Sequence, residues 1–169
     1  MDHEIRQEFD RIWEEINKLK KNKSNESELS NGQSARAENL EPKINKLCED
    51  AKIERSDFDS LFFIKEKELL LIIVPEGKNE EERQLHVTLC ILTAQNCLFN
   101  EDFIKSSDLN AKLKKLEVKS LVNLSTNLKK HKQLLIPEGK PKSRNFGFRI
   151  TIPGKKRGLE LLKTLLNKK

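Results

Sequence analysis

Within the 169-residue chain, the segment Ser120–Pro153 (SLVNLSTNLKKHKQLLIPEGKPKSRNFGFRITIP) constrains the fold most, because its apolar positions change period partway along. Leu121, Leu124 and Leu128 recur at steps of three and four, which places them on one face of a 3.6-residue helix. On that wheel Lys119, Asn123, Thr126, Asn127 and Lys130 are assigned to the opposite, solvent face, and Lys132 follows just beyond. Amides and hydroxyls can bond base edges and lysines can bond phosphates, so this face has the chemistry a DNA groove requires. Leu134-Leu135-Ile136 then reads as a strand. Phe146, Phe148, Ile150 and Ile152 alternate with Gly147, Arg149 and Thr151 as a second, half-buried strand. Between the two lies the polar stretch Glu138-Gly-Lys-Pro-Lys-Ser-Arg-Asn145, carrying Lys140, Lys142 and Arg144.

Charge is distributed unevenly in a way that fits this segment. Residues 119–169 hold 14 Lys/Arg against two acids, whereas the net charge of the whole chain is +6, so the first 118 residues are net acidic. Cations gathered in one third of a chain favour a polyanionic partner, since each neutralised phosphate releases counterions. The bland alternative is a solvated basic surface that keeps the protein dispersed. No apolar run approaches the roughly 20 residues of a membrane span, and the start MDHEIRQEFD is unlike a signal peptide, so a soluble, cytoplasmic protein without a membrane partner is expected. Cys48, Cys90 and Cys97 are odd in number and lack paired-ligand spacing, which predicts neither a disulfide framework nor a zinc site.

At the start of the chain Ile5, Phe9, Ile12, Ile16 and Leu19 are spaced four, three, four, three, a heptad seam. Three heptads are too short to stand alone, so residues 1–20 either self-associate as an oligomerising coiled coil, the favoured outcome, or fold back on the domain. A homodimer leads, with higher orders open. Residues 21–40 contain few apolar groups and read as a flexible linker.

Pro42 opens a helix bearing Ile44, Leu47, Cys48 and Ala51 on one face. Ser56-Asp57 caps a short helix through about Phe62, and Leu69–Val74 is a strand apolar enough to be covered on both faces, with a hairpin across Lys65–Glu68 as the runner-up. Asn79 caps a helix whose first turn is Glu80-Glu81-Glu82 and whose apolar residues run almost all round, the central helix of the domain. His86 within it reads as a helix-surface histidine. A helix from about Asp108 to Leu116 follows, then a three-residue connection to the helix at Ser120, and a last helix spans about Lys156 to Asn167.

The order strand, helix, helix, turn, helix, strand, basic loop, strand, helix over about residues 69–167 resembles that of the winged helix-turn-helix superfamily. The resemblance implies a mainly α fold with a small β-sheet (α+β), with residues 41–169 as a winged-helix domain carrying an N-terminal extension. It also implies that the helix at 120–130 enters the major groove of double-stranded DNA while the loop at 138–146 touches the backbone or minor groove. The connection before Ser120 lacks the glycine often found in such turns.

Enzyme signatures are missing from the sequence: it has no P-loop, dinucleotide glycine pattern, H-E-x-x-H or G-x-S-x-G. Gly154-Lys-Lys-Arg-Gly158 superficially suggests a phosphate loop, but its spacing fits a basic helix start better. The expectation is a non-enzymatic, cofactor-free DNA-binding protein, a transcriptional or chromosomal regulator. The alternative is a winged-helix protein-interaction scaffold or a non-catalytic subunit of a nucleic-acid-processing complex.

Overall fold

The computed structural model describes residues 39–65 and 68–166. The seam Ile5, Phe9, Ile12, Ile16 and Leu19, and residues 21–38 of the expected linker, lie outside the described residues. The elements are α1 (Glu41–Ala51), α2 (Arg55–Leu61), β1 (Phe62–Lys65), β2 (Glu68–Leu71), α3 (Glu80–Phe99), β3 (Phe103–Lys105), α4 (Ser106–Lys115), a 3-10 turn (Leu121–Asn123), α5 (Leu124–Lys129), β4 (Leu135–Glu138), β5 (Gly147–Ile150) and α6 (Ile152–Leu166). The described residues thus form six α-helices and two small antiparallel sheets, an arrangement compatible with the α+β class.

Among the described residues, α1, β2, α4, α5, β5 and α6 all pack on α3. Asn79 accepts the Glu82 N–H at 2.8 Å, and the three glutamates of the first turn lie at the positive end of the helix dipole. From Gln84 to Gln95 each residue is buried, so α3 meets neighbours on all sides. α1 brings Ile44, Leu47, Cys48 and Ala51 against α3 and α6. α6 crosses α3 closely at Gly158, where a Cβ would lie 2.0 Å from Thr93 Oγ1 and 2.9 Å from the Leu89 carbonyl. Gly154 is likewise needed for close packing, since its Cβ would meet the Leu134 carbonyl at 2.2 Å. Both glycines of Gly154-Lys-Lys-Arg-Gly158 are thus packing residues.

The principal sheet has strand order β3-β5-β4, antiparallel throughout, with Ile104 opposite Phe148 and Pro137 opposite Phe148 on the other side. β4 is an edge strand, which is where Pro137 is tolerated. β5 is central, and Gly147 lets β3 approach it, because a Cβ there would lie 2.2 Å from the Ile104 carbonyl. Phe148 is fully buried beneath the sheet.

Several sequence expectations require correction. Leu69–Val74 does not form one covered strand. The hairpin forms instead, β1 on β2 with Phe63 opposite Leu70, and it leaves Phe63 53% and Ile72 52% exposed. The third strand of the principal sheet is β3, only three residues long and held by its pairing with β5, rather than Leu69–Val74. The second strand stops at Ile150 rather than continuing to Ile152, because the Thr151 hydroxyl oxygen accepts the Gly154 N–H at 3.0 Å and so caps α6. Ile152 is 88% exposed, and α6 begins there, four residues earlier than expected. His86 is not on the surface: it is 9% exposed, and its Nδ1 lies 2.8 Å from the Glu76 carbonyl, tying α3 to the preceding loop.

Candidate nucleic-acid interface

The connection between α4 and the 3-10 turn is made without glycine. α4 ends in a Schellman arrangement: the Val118 N–H donates to the Leu113 carbonyl at 3.1 Å and the Glu117 N–H to the Lys114 carbonyl at 3.1 Å, with Glu117 left-handed at φ 54°. Val118 is buried together with Leu113, the apolar pairing that accompanies this motif. Ser120 is left-handed as well, at φ 57°, so it lies outside the helix it was expected to begin. Each such non-glycine residue costs about 1–2 kcal/mol, offset here by the hydrogen bonds that close the turn.

A second set of bonds fixes this turn to α3. Gln84, fully buried, donates from Nε2 to the carbonyls of Lys119 at 2.8 Å and Ser120 at 3.2 Å, and its Oε1 accepts Asn127 Nδ2 at 3.0 Å. The Lys119 N–H donates to Glu80 Oε2 at 3.2 Å, and Lys130 Nζ reaches Glu81 Oε2 at 2.7 Å. The acidic first turn of α3 therefore holds both ends of the segment from Lys119 to Lys130.

The expected solvent face is accordingly only partly free. Asn123 and Thr126 are exposed, and their side chains have no polar partner among the described residues. Asn127 is half-buried and committed to Gln84. It stands about 90° from the centre of the leucine stripe, at the edge of the wheel rather than opposite the core. Lys130 is exposed but paired with Glu81. Lys119 and Lys132 are exposed. The helical segment is also shorter than expected, a 3-10 turn followed by the six residues of α5.

Lys140, Lys142 and Arg144 fall in the loop between β4 and β5, where residues 139–145 are all exposed. No acid among the described residues pairs with these three cations. Gly139 at φ 84° and Lys142 at φ 66° turn the loop, and the Ser143 N–H donates to the Lys140 carbonyl at 3.0 Å. At the loop's base Arg149 is paired with two acids: its guanidinium bonds Glu138, with Nη2 at 3.0 Å from Oε2, and also Asp102, while lying over the Phe103 ring. The same guanidinium holds the Glu138 carboxyl below the usual carboxylate range.

Two features join α5 to the loop. The Lys129 ammonium lies 4.9 Å from the centre of the Phe146 ring, and Ser125 Oγ lies 3.3 Å from Ser106 Oγ, whose own N–H donates to the Phe146 carbonyl at 2.9 Å. Lys129, Gln84 and Val122 are site residues that the helical pattern alone did not single out. Val122, 98% exposed, was legible on the wheel, since it points away from the leucine stripe. Gln84 stands at the start of the part of α3 whose apolar residues run almost all round, and a buried amide needs partners.

Among the described residues no group of His, Cys, Asp or Glu could hold a metal ion, and no helix is long and apolar enough to cross a membrane. Comparison of the chain with protein-family models, curated proteins and solved structures found no match.

Proposed function

We propose that residues 41–169 form a winged helix-turn-helix domain with an N-terminal extension and that the protein binds double-stranded DNA as a non-enzymatic transcriptional or chromosomal regulator. The observation that carries this reading is a coincidence of topology and charge. The chain runs helix, strand, helix, short helix, strand, loop, strand with sheet order β3-β5-β4, and three cations without an acidic partner among the described residues, Lys140, Lys142 and Arg144, lie in the loop between the last two strands, beside a short helix with unpartnered polar groups. In domains of this plan the second helix of the pair enters the major groove and the wing lies along the backbone. Lys140, Lys142 and Arg144 are then phosphate ligands, Lys119 and Lys132 flank the reading helix, and Asn123 and Thr126 face base edges. Asn127 and Lys130 hold that helix on α3.

A second reading, a protein-interaction scaffold or non-catalytic subunit of a nucleic-acid-processing complex, is favoured by Val122, an almost fully exposed apolar side chain at the head of the same helix. Titration of the full chain into labelled duplex DNA over a range of salt separates the two. Binding that weakens steeply with salt supports the first, and absence of binding at low salt supports the second. The spacing of Ile5, Phe9, Ile12, Ile16 and Leu19 supports self-association, for which sedimentation of the wild type against Ile12→Asp is the test.

A further inference from the structure

Val122, Asn123 and Thr126 are all exposed, Val122 and Asn123 in the 3-10 turn and Thr126 in the first turn of α5. Thr126 follows Asn123 by three residues, a spacing that sets both on one helical face, with Val122 next to Asn123 in the chain. Of the other polar groups of the segment, Asn127 is bonded to Gln84, Lys130 to Glu81 and Ser125 to Ser106, and Lys129 lies over the Phe146 ring, while Lys119 and Ser120 lie exposed at its start, ahead of the 3-10 turn. What remains to meet a base edge is an amide, a hydroxyl with its methyl, and an isopropyl group, with no guanidinium among them.

This set is selective by its chemistry. Guanine is recognised in the major groove by Arg or Lys bonded to O6 and N7. An amide matches adenine, donating to N7 and accepting from the N6 amine, and apolar groups match the C5-methyl of thymine. We propose that this surface reads A·T base pairs in the major groove, with the Asn123 amide on adenine and the Val122 and Thr126 methyl groups on thymine. The inference rests on the DNA-binding reading above and adds to it the class of base pair recognised. Lys119 and Lys132, at the two ends of the segment, are placed for phosphates and carry no sequence preference.

Fluorescence anisotropy of the full chain on three short duplexes of equal length tests it: one A·T-rich, one G·C-rich, and the A·T-rich duplex with deoxyuridine in place of thymidine. The wild type should bind the A·T-rich duplex about tenfold tighter than the G·C-rich one, the discrimination of one good amide–adenine pair. Deoxyuridine should weaken binding about fourfold for each buried methyl removed. Val122→Ala should bring the thymidine-to-deoxyuridine ratio towards one, and Asn123→Ala should narrow the gap between A·T and G·C. Circular dichroism melts of both variants should match the wild type, since neither side chain has a partner to lose. Equal affinity for A·T-rich and G·C-rich duplexes, with a steep salt dependence, overturns the base reading and leaves DNA binding standing. An A·T preference indifferent to deoxyuridine assigns the preference to groove shape and also overturns it. No binding to any duplex overturns both readings.

Discussion

Asn127 Nδ2 donates to Gln84 Oε1 at 3.0 Å, joining residues 43 apart in sequence, and through this bond the central helix sets the orientation of the short helix α5. Gln84 also supports the carbonyls of Lys119 and Ser120, so one buried amide serves three sites on the segment from Lys119 to Asn127. Replacing it by the similarly shaped but apolar methionine should lower stability by about 1–3 kcal/mol, the cost of leaving such groups without partners. A double-mutant cycle of Gln84→Ala with Asn127→Ala, followed by urea unfolding, should return a coupling of about 0.5–1.5 kcal/mol. Simple additivity would show that the bond does not hold α5.

Gly158 reverses a familiar rule. At an exposed helix position alanine is about 1 kcal/mol better than glycine. Here the added Cβ would meet Thr93 Oγ1 at 2.0 Å, so α6 must retreat from α3 or Thr93 must move against a packed core. Gly158→Ala should destabilise the fold by about 1–3 kcal/mol, as overpacking does. A rise in the urea midpoint of this variant would contradict the close packing of α6 on α3.

The Arg149–Glu138 pair predicts a component of acid sensitivity. Its hydrogen bonds hold the Glu138 carboxyl below its unfolded value, so the contribution is fully present above about pH 4.3 and is lost as pH falls through the depressed folded value. Glu82, lowered by the Lys78 backbone N–H, adds a component of the same sign that does not depend on Arg149. Arg149→Met should therefore be less stable than the wild type at neutral pH, but the gap should shrink below about pH 4. Urea midpoints measured for both proteins at neutral and acid pH check this, and a constant gap would sink the account.

The parts of this fold that could be read from sequence are those specified by neighbours along the chain. Asn79 with Glu80, Glu81 and Glu82 marked the start of α3, the leucine steps marked the buried face of α5, and the alternation of Phe146, Phe148 and Ile150 marked β5. Less legible were the features specified by residues far away in sequence. β3 has three residues and too little pattern to be recognised, and it is a strand because Gly147 lets it approach β5. Lys130 carries a cation wherever it is placed, but its carboxylate partner Glu81 is 49 residues distant, so only the fold removes it from the free surface. Asn127 is half-buried for the same reason, because a residue at the edge of the wheel is decided by its partner, here Gln84. At Thr151 two local rules competed, β-branched strand preference and helix capping, and the cap prevailed.

The central claim is that the loop between β4 and β5 grips DNA phosphates, and the salt dependence of duplex binding by the full chain tests it most directly. Lys140, Lys142 and Arg144 have no acidic partner among the described residues, so each is available to release counterions on binding. For the wild type, the logarithm of the association constant should fall linearly with the logarithm of salt concentration. The triple variant Lys140→Ala, Lys142→Ala, Arg144→Ala should bind every duplex more weakly, with a slope shallower by up to about 0.9 for each phosphate no longer neutralised. Unchanged affinity and slope in the triple variant would contradict the claim and transfer the weight to the protein-scaffold reading.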